Sequence, residues 1–153
     1  MENYNYTLVN IMERKEGRNL RQLQPVQHQS LLVEFKVQCT NTKPGETVRV
    51  TGSCTELGNW IPKDGLNLET SPAQFPLWEG STLIKLQQDE RRPQVTQIEY
   101  KYAIVRESDG QTKQWETFTG NRVLHILRVK QAKIEDSFDE KYHDRVEFSQ
   151  WMP

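Results

Sequence analysis

Two runs decide the fold: Leu31-Leu32-Val33-Glu34-Phe35-Lys36-Val37-Gln38, and Pro44-Gly45-Glu46-Thr47-Val48-Arg49-Val50-Thr51-Gly52. Leu31, Val33, Phe35 and Val37 alternate with Leu32, Glu34, Lys36 and Gln38. A period of two puts the apolar side chains on one face of a half-buried strand. Pro44-Gly45-Glu46 supplies a turn, and Val48, Val50 and Gly52 follow it, so the pair is predicted as an antiparallel hairpin.

Working outward, the same pattern predicts strands over 77–86, 98–105, 114–117 and 123–127 and, less clearly, 132–138. Turn signals such as Pro62-Lys63-Asp64-Gly65, Ser71-Pro72, Ser108-Asp109-Gly110 and Gly120-Asn121 separate them. Many short strands at this spacing imply an all-β domain, an antiparallel β-sandwich or open barrel, over residues 30–138. In residues 1–29 the apolar Leu8, Ile11, Met12, Leu20 and Leu23 are loosely helical in spacing. Glu13 to Arg18 interrupt them, which predicts a tail with at most one weak helix. Residues 139–153 read as a second tail, a charge run that closes with Val146, Phe148, Trp151 and Met152.

The chain has 153 residues, with 20 Lys+Arg against 21 Asp+Glu. This balance removes the positive field on which nucleic acid and anionic membranes depend, so neither is an expected partner. No stretch approaches the ~20 apolar residues of a membrane span. The opening Met1-Glu2-Asn3-Tyr4-Asn5-Tyr6 lacks the pattern of a signal peptide, which predicts an intracellular protein, cytoplasmic or in an organelle, that starts at Met1. Cys39 and Cys54 fall out of register in the predicted hairpin, which argues for free thiols in a reducing compartment.

An enzyme needs a nucleophile with its base, a paired acid and base, or a metal site. The three histidines, His28, His125 and His143, form no ligand pair, and His143 within Asp139-Glu140-Lys141-Tyr142-His143-Asp144 reads as part of a solvated charged face. No Gly-x-Ser-x-Gly elbow or phosphate-cradling loop occurs. The expectation is no catalysis, no metal and no cofactor. Four tryptophans in so polar a chain are the informative feature: Trp60 follows Leu57-Gly58-Asn59, and Trp115 stands between Gln114 and Glu116. A flat apolar ring at a loop edge either closes the core or serves binding.

The order Phe35, Pro44-Gly45-Glu46-Thr47-Val48-Arg49-Val50-Thr51-Gly52-Ser53, Glu56-Leu57-Gly58-Asn59-Trp60, Pro76-Leu77-Trp78, Glu99-Tyr100-Lys101-Tyr102, Trp115-Glu116 and Asn121-Arg122 resembles the starch-binding domain, carbohydrate-binding module family 20. The resemblance runs from Leu31 to Phe138, which stands where the family's last strand usually ends in Trp. It implies an immunoglobulin-like sandwich or distorted barrel of seven or eight antiparallel strands that binds α-1,4-linked glucan, starch or glycogen, without catalysis. It implies a glucan site made of Trp60 and Trp115 as a stacking platform, with Lys101 and Asn121 as polar partners and Glu116 as an additional acceptor. The family's second site normally uses tyrosines near the first turn and before Pro-Leu-Trp; here Pro44 and Ser71-Pro72-Ala73-Gln74-Phe75 stand there, leaving Trp78 and Phe75. The Trp of Pro-Leu-Trp is often a buried structural ring in this family as well. Two further readings stay open: an adaptor or structural subunit that uses the sandwich as scaffold and both tails as docking arms for a protein partner, and a regulatory subunit that brings an enzyme to glycogen or starch.

Overall fold

The computed structural model describes residues 4–13, 18–27, 30–86 and 95–150, the first two stretches as backbone only. Residues 87–94 and Trp151 and Met152 lie outside the described residues. Strands β1 (Tyr4–Glu13) and β2 (Arg18–Gln27) form a two-stranded antiparallel sheet of their own. This corrects the expected weak helix. Leu8 lies opposite Leu23 and Ile11 opposite Leu20, so residues whose spacing looked helical are cross-strand partners. Pairing satisfies the backbone groups that a short, interrupted helix could not hold against solvent.

The sandwich has two sheets. One is ordered β11 (Arg145–Gln150), β10 (Val129–Ser137), β3 (Ser30–Gln38), β6 (Leu77–Lys85). The other is ordered β5 (Leu66–Asn67), β4 (Glu46–Gly52), β7 (Gln97–Arg106), β8 (Thr112–Trp115), with β9 (Arg122–His125) also on β7. Among these pairings β3 with β10 is parallel and the others are antiparallel. The core lies between the sheets: Leu31, Val33, Phe35 and Val37 from β3 face Val48 and Val50 of β4 and Tyr100, Tyr102 and Ile104 of β7. Phe35 meets the edges of Tyr100 and Tyr102 with centroids 5.2 and 6.5 Å apart.

The predicted β3–β4 hairpin is therefore corrected. Its strands have the expected burial pattern but belong to opposite sheets. Alternation specifies which face is dry, and two strands facing each other across a core satisfy it as well as two neighbours in one sheet. The turn is real: Glu46 N donates to Lys43 O at 3.0 Å, and Glu107 N donates to Gly45 O at 2.9 Å, tying it to the far end of β7. Cys39 and Cys54 are free, and burial pushes both thiols up to about 11.

The 139–153 tail is also corrected in part. Its residues Arg145–Gln150 are the edge strand β11, with Val146 opposite Ile134 and Phe148 opposite Ala132 on the core-facing side. On the outer face of this sheet, register lines up Arg145, Glu135, Lys36 and Glu79 in one row and Glu147, Lys133, Glu34 and Ser81 in the next. Alternating charge favours pairing across the strands and keeps that face in water. The outer face of the other sheet is built differently.

Candidate functional site

On that second sheet, register places Arg49, Ala103 and Trp115 in one row across β4, β7 and β8, and Thr51 beside Lys101 in the next. These residues alternate with the core-facing Val50, Tyr102 and Ile104 and so point outward. Trp115 ends β8 with 37 % of its surface exposed, while its neighbour Ala103 is buried. The small Ala103 lets larger side chains close over the sheet at this point.

Two short 3-10 turns, Thr55–Trp60 and Pro62–Asp64, follow β4 and pack against it. Arg49 donates to the carbonyl of Lys63. A methyl group on Gly110, in the β7–β8 connection, would meet the Lys63 side chain at 2.7 Å. The first contact seats the segment after Trp60 on β4, and the second sets it beside the hairpin that carries Trp115. Gly58, Asn59 and Trp60 all have positive φ, at 74°, 50° and 68°. Gly58 must be glycine for a second reason, because a Cβ there would lie 2.6 Å from the Asp64 carbonyl carbon. A bulky residue at positive φ is costly and is held only where its surroundings over-determine it. Here that backbone orients the half-buried Trp60 ring.

β8 and β9 pair with the same edge of β7, at Ala103–Val105 and Gln97–Tyr100 respectively. The chain between them, 116–121, bulges out at the level of Lys101. Lys101 Nζ donates to Phe118 O at 3.0 Å and sits 4.6 Å from the Phe118 ring centroid. An ammonium has three donors, so this contact fixes its position and leaves donors for a ligand. The half-buried Asn121 closes the loop. The structure thus sets Trp115, Lys101 and the 116–121 loop that leads to Asn121 along one edge of β7, and the segment just after Trp60 is tied to Arg49, in the same row as Trp115.

Glu116 is not part of this surface. It is buried, its Oε1 accepts from Tyr102 N at 2.8 Å and Arg122 Nε at 3.0 Å, and its Oε2 accepts from Arg122 Nη2 and from Asp139 N at 2.9 Å. The expected role as glucan acceptor is corrected: both oxygens are occupied inside the protein. Burial alone would lower the Arg122 pKa, but the Glu116 hydrogen bond and the Asp136 carboxylate outweigh it and hold the guanidinium above its ordinary value. Asp136 lies 3.2 Å from Arg122 Nη1 and accepts from the Tyr100 and Tyr102 hydroxyls at 2.8 and 2.7 Å. His143 Nδ1 is 2.7 Å from Asp136 Oδ1, and its side chain is only 21 % exposed. The reading of His143 as part of a solvated charged face is corrected accordingly. This chain of buried polar groups supports the residue next to Trp115 from below.

Residues 30–135 match the family model described as starch binding domain. The chain belongs to the starch-binding domain family. This starch-binding domain is 43 % identical over 88 residues to a glucoamylase of Neurospora crassa, covering 56 % of this chain and 12 % of the glucoamylase. It is 33 % identical over 104 residues to an α-amylase of Streptomyces violaceus, covering 68 % of this chain and 16 % of that enzyme. The chain therefore spans a small fraction of these relatives' length. Among solved structures, the family 20 module of the maltotetraose-forming amylase from Pseudomonas saccharophila superposes with a TM-score of 0.54 at 27 % identity, covering 71 % of this chain and all of the module.

The second site expected of a starch-binding domain is not assembled here. Trp78 is 6 % exposed and its indole N–H donates to Cys39 O at 3.2 Å, so it is a core ring that cannot stack on a sugar. Phe75 is 45 % exposed without that partner. Sequence reasoning missed Phe118, whose signal was an aromatic inside the polar 116–121 loop. It also missed Arg122 and Asp136, whose burial leaves no local mark in a charged run.

Proposed function

We propose that this chain is a non-catalytic α-1,4-glucan-binding module, with Trp60 and Trp115 stacking on the apolar C–H faces of successive glucose rings and Lys101 and Asn121 meeting their hydroxyl rims. The observation that carries this reading is the exposed Trp115, opposite Ala103 and one row from Lys101, on the outer face that is not a charge ladder. Stacking that hides ~100 Å² per ring contributes about 2.5 kcal/mol each at ~25 cal/mol/Å² before ordering costs. Single-site affinity should fall on the order of micromolar to millimolar. Co-sedimentation with amylose or glycogen, competed by β-cyclodextrin, tests this directly; a chain that stays in the supernatant would reject it. The buried carboxylates Glu116 and Asp136 are committed to Arg122, which supports a role in binding without hydrolysis. Release of reducing sugar by the purified chain would overturn that part.

The binding of a protein partner falls to the β1–β2 hairpin in this reading, since that hairpin forms a sheet separate from the sandwich. Comparing partner recovery by the full chain and by residues 30–153 tests it. The free thiols of Cys39 and Cys54 support a reducing compartment as the place of action.

A further inference from the structure

We infer that Asp139, which lies past the stretch matching the family, is a positioning residue for the glucan surface: it clamps the 116–121 loop between Trp115 and Asn121. The inference rests on the glucan-binding reading. The clamp has two ends. Asp139 Oδ1 accepts from Thr117 N at 2.7 Å and from Thr117 Oγ1 at 3.3 Å. In return, Asp139 N donates to Glu116 Oε2 at 2.9 Å. Thr117 is the second residue after Trp115, so this pair fixes the direction in which the chain leaves the exposed ring.

The geometry is specific to this side chain. Asp139 adopts φ 70°, a left-handed conformation that Asp and Asn tolerate better than other residues carrying a Cβ. That turn lets its N–H and its carboxylate address successive residues of one loop. A charge-assisted bond to a backbone N–H is among the stronger kinds. On the other side of the loop, Lys101 holds the Phe118 carbonyl, and the Arg122 guanidinium lies 5.3 Å from the Phe118 ring centroid. The loop is therefore gripped at Thr117 from the C-terminal segment and at Phe118 from β7. Releasing the first grip leaves Trp115 attached to the sheet but frees the chain that carries Asn121, and an unfixed loop must be ordered again each time ligand binds.

The test compares two variants of the full chain. Asp139→Gly removes the carboxylate and is unstrained at positive φ, while Asp139→Asn keeps an acceptor at Oδ1 and tolerates the same backbone. Calorimetric titration with β-cyclodextrin should show about tenfold weaker binding for Asp139→Gly and rescue to within about twofold of wild type for Asp139→Asn, with both thermal transitions close to wild type. Amide hydrogen exchange at Thr117 in the ligand-free protein should quicken at least tenfold in Asp139→Gly only. Wild-type affinity in Asp139→Gly, equal weakening in both variants, or unchanged exchange at Thr117 would each overturn the clamp. If the wild-type chain does not bind β-cyclodextrin, the glucan reading fails, and the exchange measurement, which needs no ligand, still decides whether Asp139 holds the loop.

Discussion

Arg122 donates to both carboxylate oxygens of Glu116 with the two side chains fully buried, and the residue before Glu116 is the exposed Trp115. A dry ion pair and a wet aromatic ring are thus adjacent in sequence, on opposite faces of one strand end. Removing one partner of a buried pair leaves a charge without compensation and costs about 3 kcal/mol or more. Glu116→Ala should therefore lower the denaturant midpoint sharply, and Glu116→Gln less so, because an amide still accepts from Arg122. If Glu116→Ala instead weakened glucan binding at full stability, Glu116 would belong to the ligand surface.

The two rings of the proposed platform should respond differently to truncation. Trp115→Ala and Trp60→Ala are each expected to weaken β-cyclodextrin binding at least tenfold by calorimetry. Trp115→Ala should barely move the melting temperature. Trp60→Ala should lower it by several degrees, since Trp60 is half-buried. Phe75→Ala should change neither quantity measurably.

Acid should unfold the sandwich through Asp136. Burial alone would raise its pKa, but the His143 hydrogen bond, the Arg122 charge and the Tyr102 hydroxyl outweigh burial and hold it below its ordinary value. Tyr100 and Glu116 complete its surroundings; burial, then Asp136, holds the Tyr100 hydroxyl well above its usual range. A carboxyl with a depressed folded pKa adds stability that is complete above the unfolded value of ~3.9 and lost as pH falls through the folded value. Stability of the wild type should thus decline steeply below about pH 4, and Asp136→Asn should be less stable at pH 7 with a shallower acid limb. Denaturant midpoints measured across pH 2–7 check both.

The C-terminal segment should be needed for stability. A chain ending at Glu140 loses β11, the His143 contact to Asp136 and the Asp144 contacts to Glu135 and Ser137. It also exposes the edge of β10, which now pairs with β11. Its denaturant midpoint should fall well below that of a chain ending at Gln150. Equal midpoints would show that this segment is only a docking arm.

Much of this fold is legible in the sequence, because alternation is a local property. Leu31 to Val37 and Val48 to Val50 announced strands with one dry face, and the Leu-Gly-Asn-Trp, Tyr-Lys-Tyr, Trp-Glu and Asn-Arg blocks in order announced the family. Trp60, Lys101, Trp115 and Asn121 could be named from those blocks. What local pattern could not carry is which neighbour a strand takes and which polar residue lies inside. β3 pairs with β6 and β10, and β4 with β7, a choice made by the packing of distant segments. Glu116 looked like a surface acceptor beside Trp115, Trp78 like a stacking ring and His143 like part of a charged face, yet all three have their partners inside. Charged and aromatic side chains can be buried only where a partner from far along the chain meets their hydrogen bonds. Arg122, Asp136 and Asp139 find those partners through the sandwich topology, and their neighbours in sequence hold no trace of it.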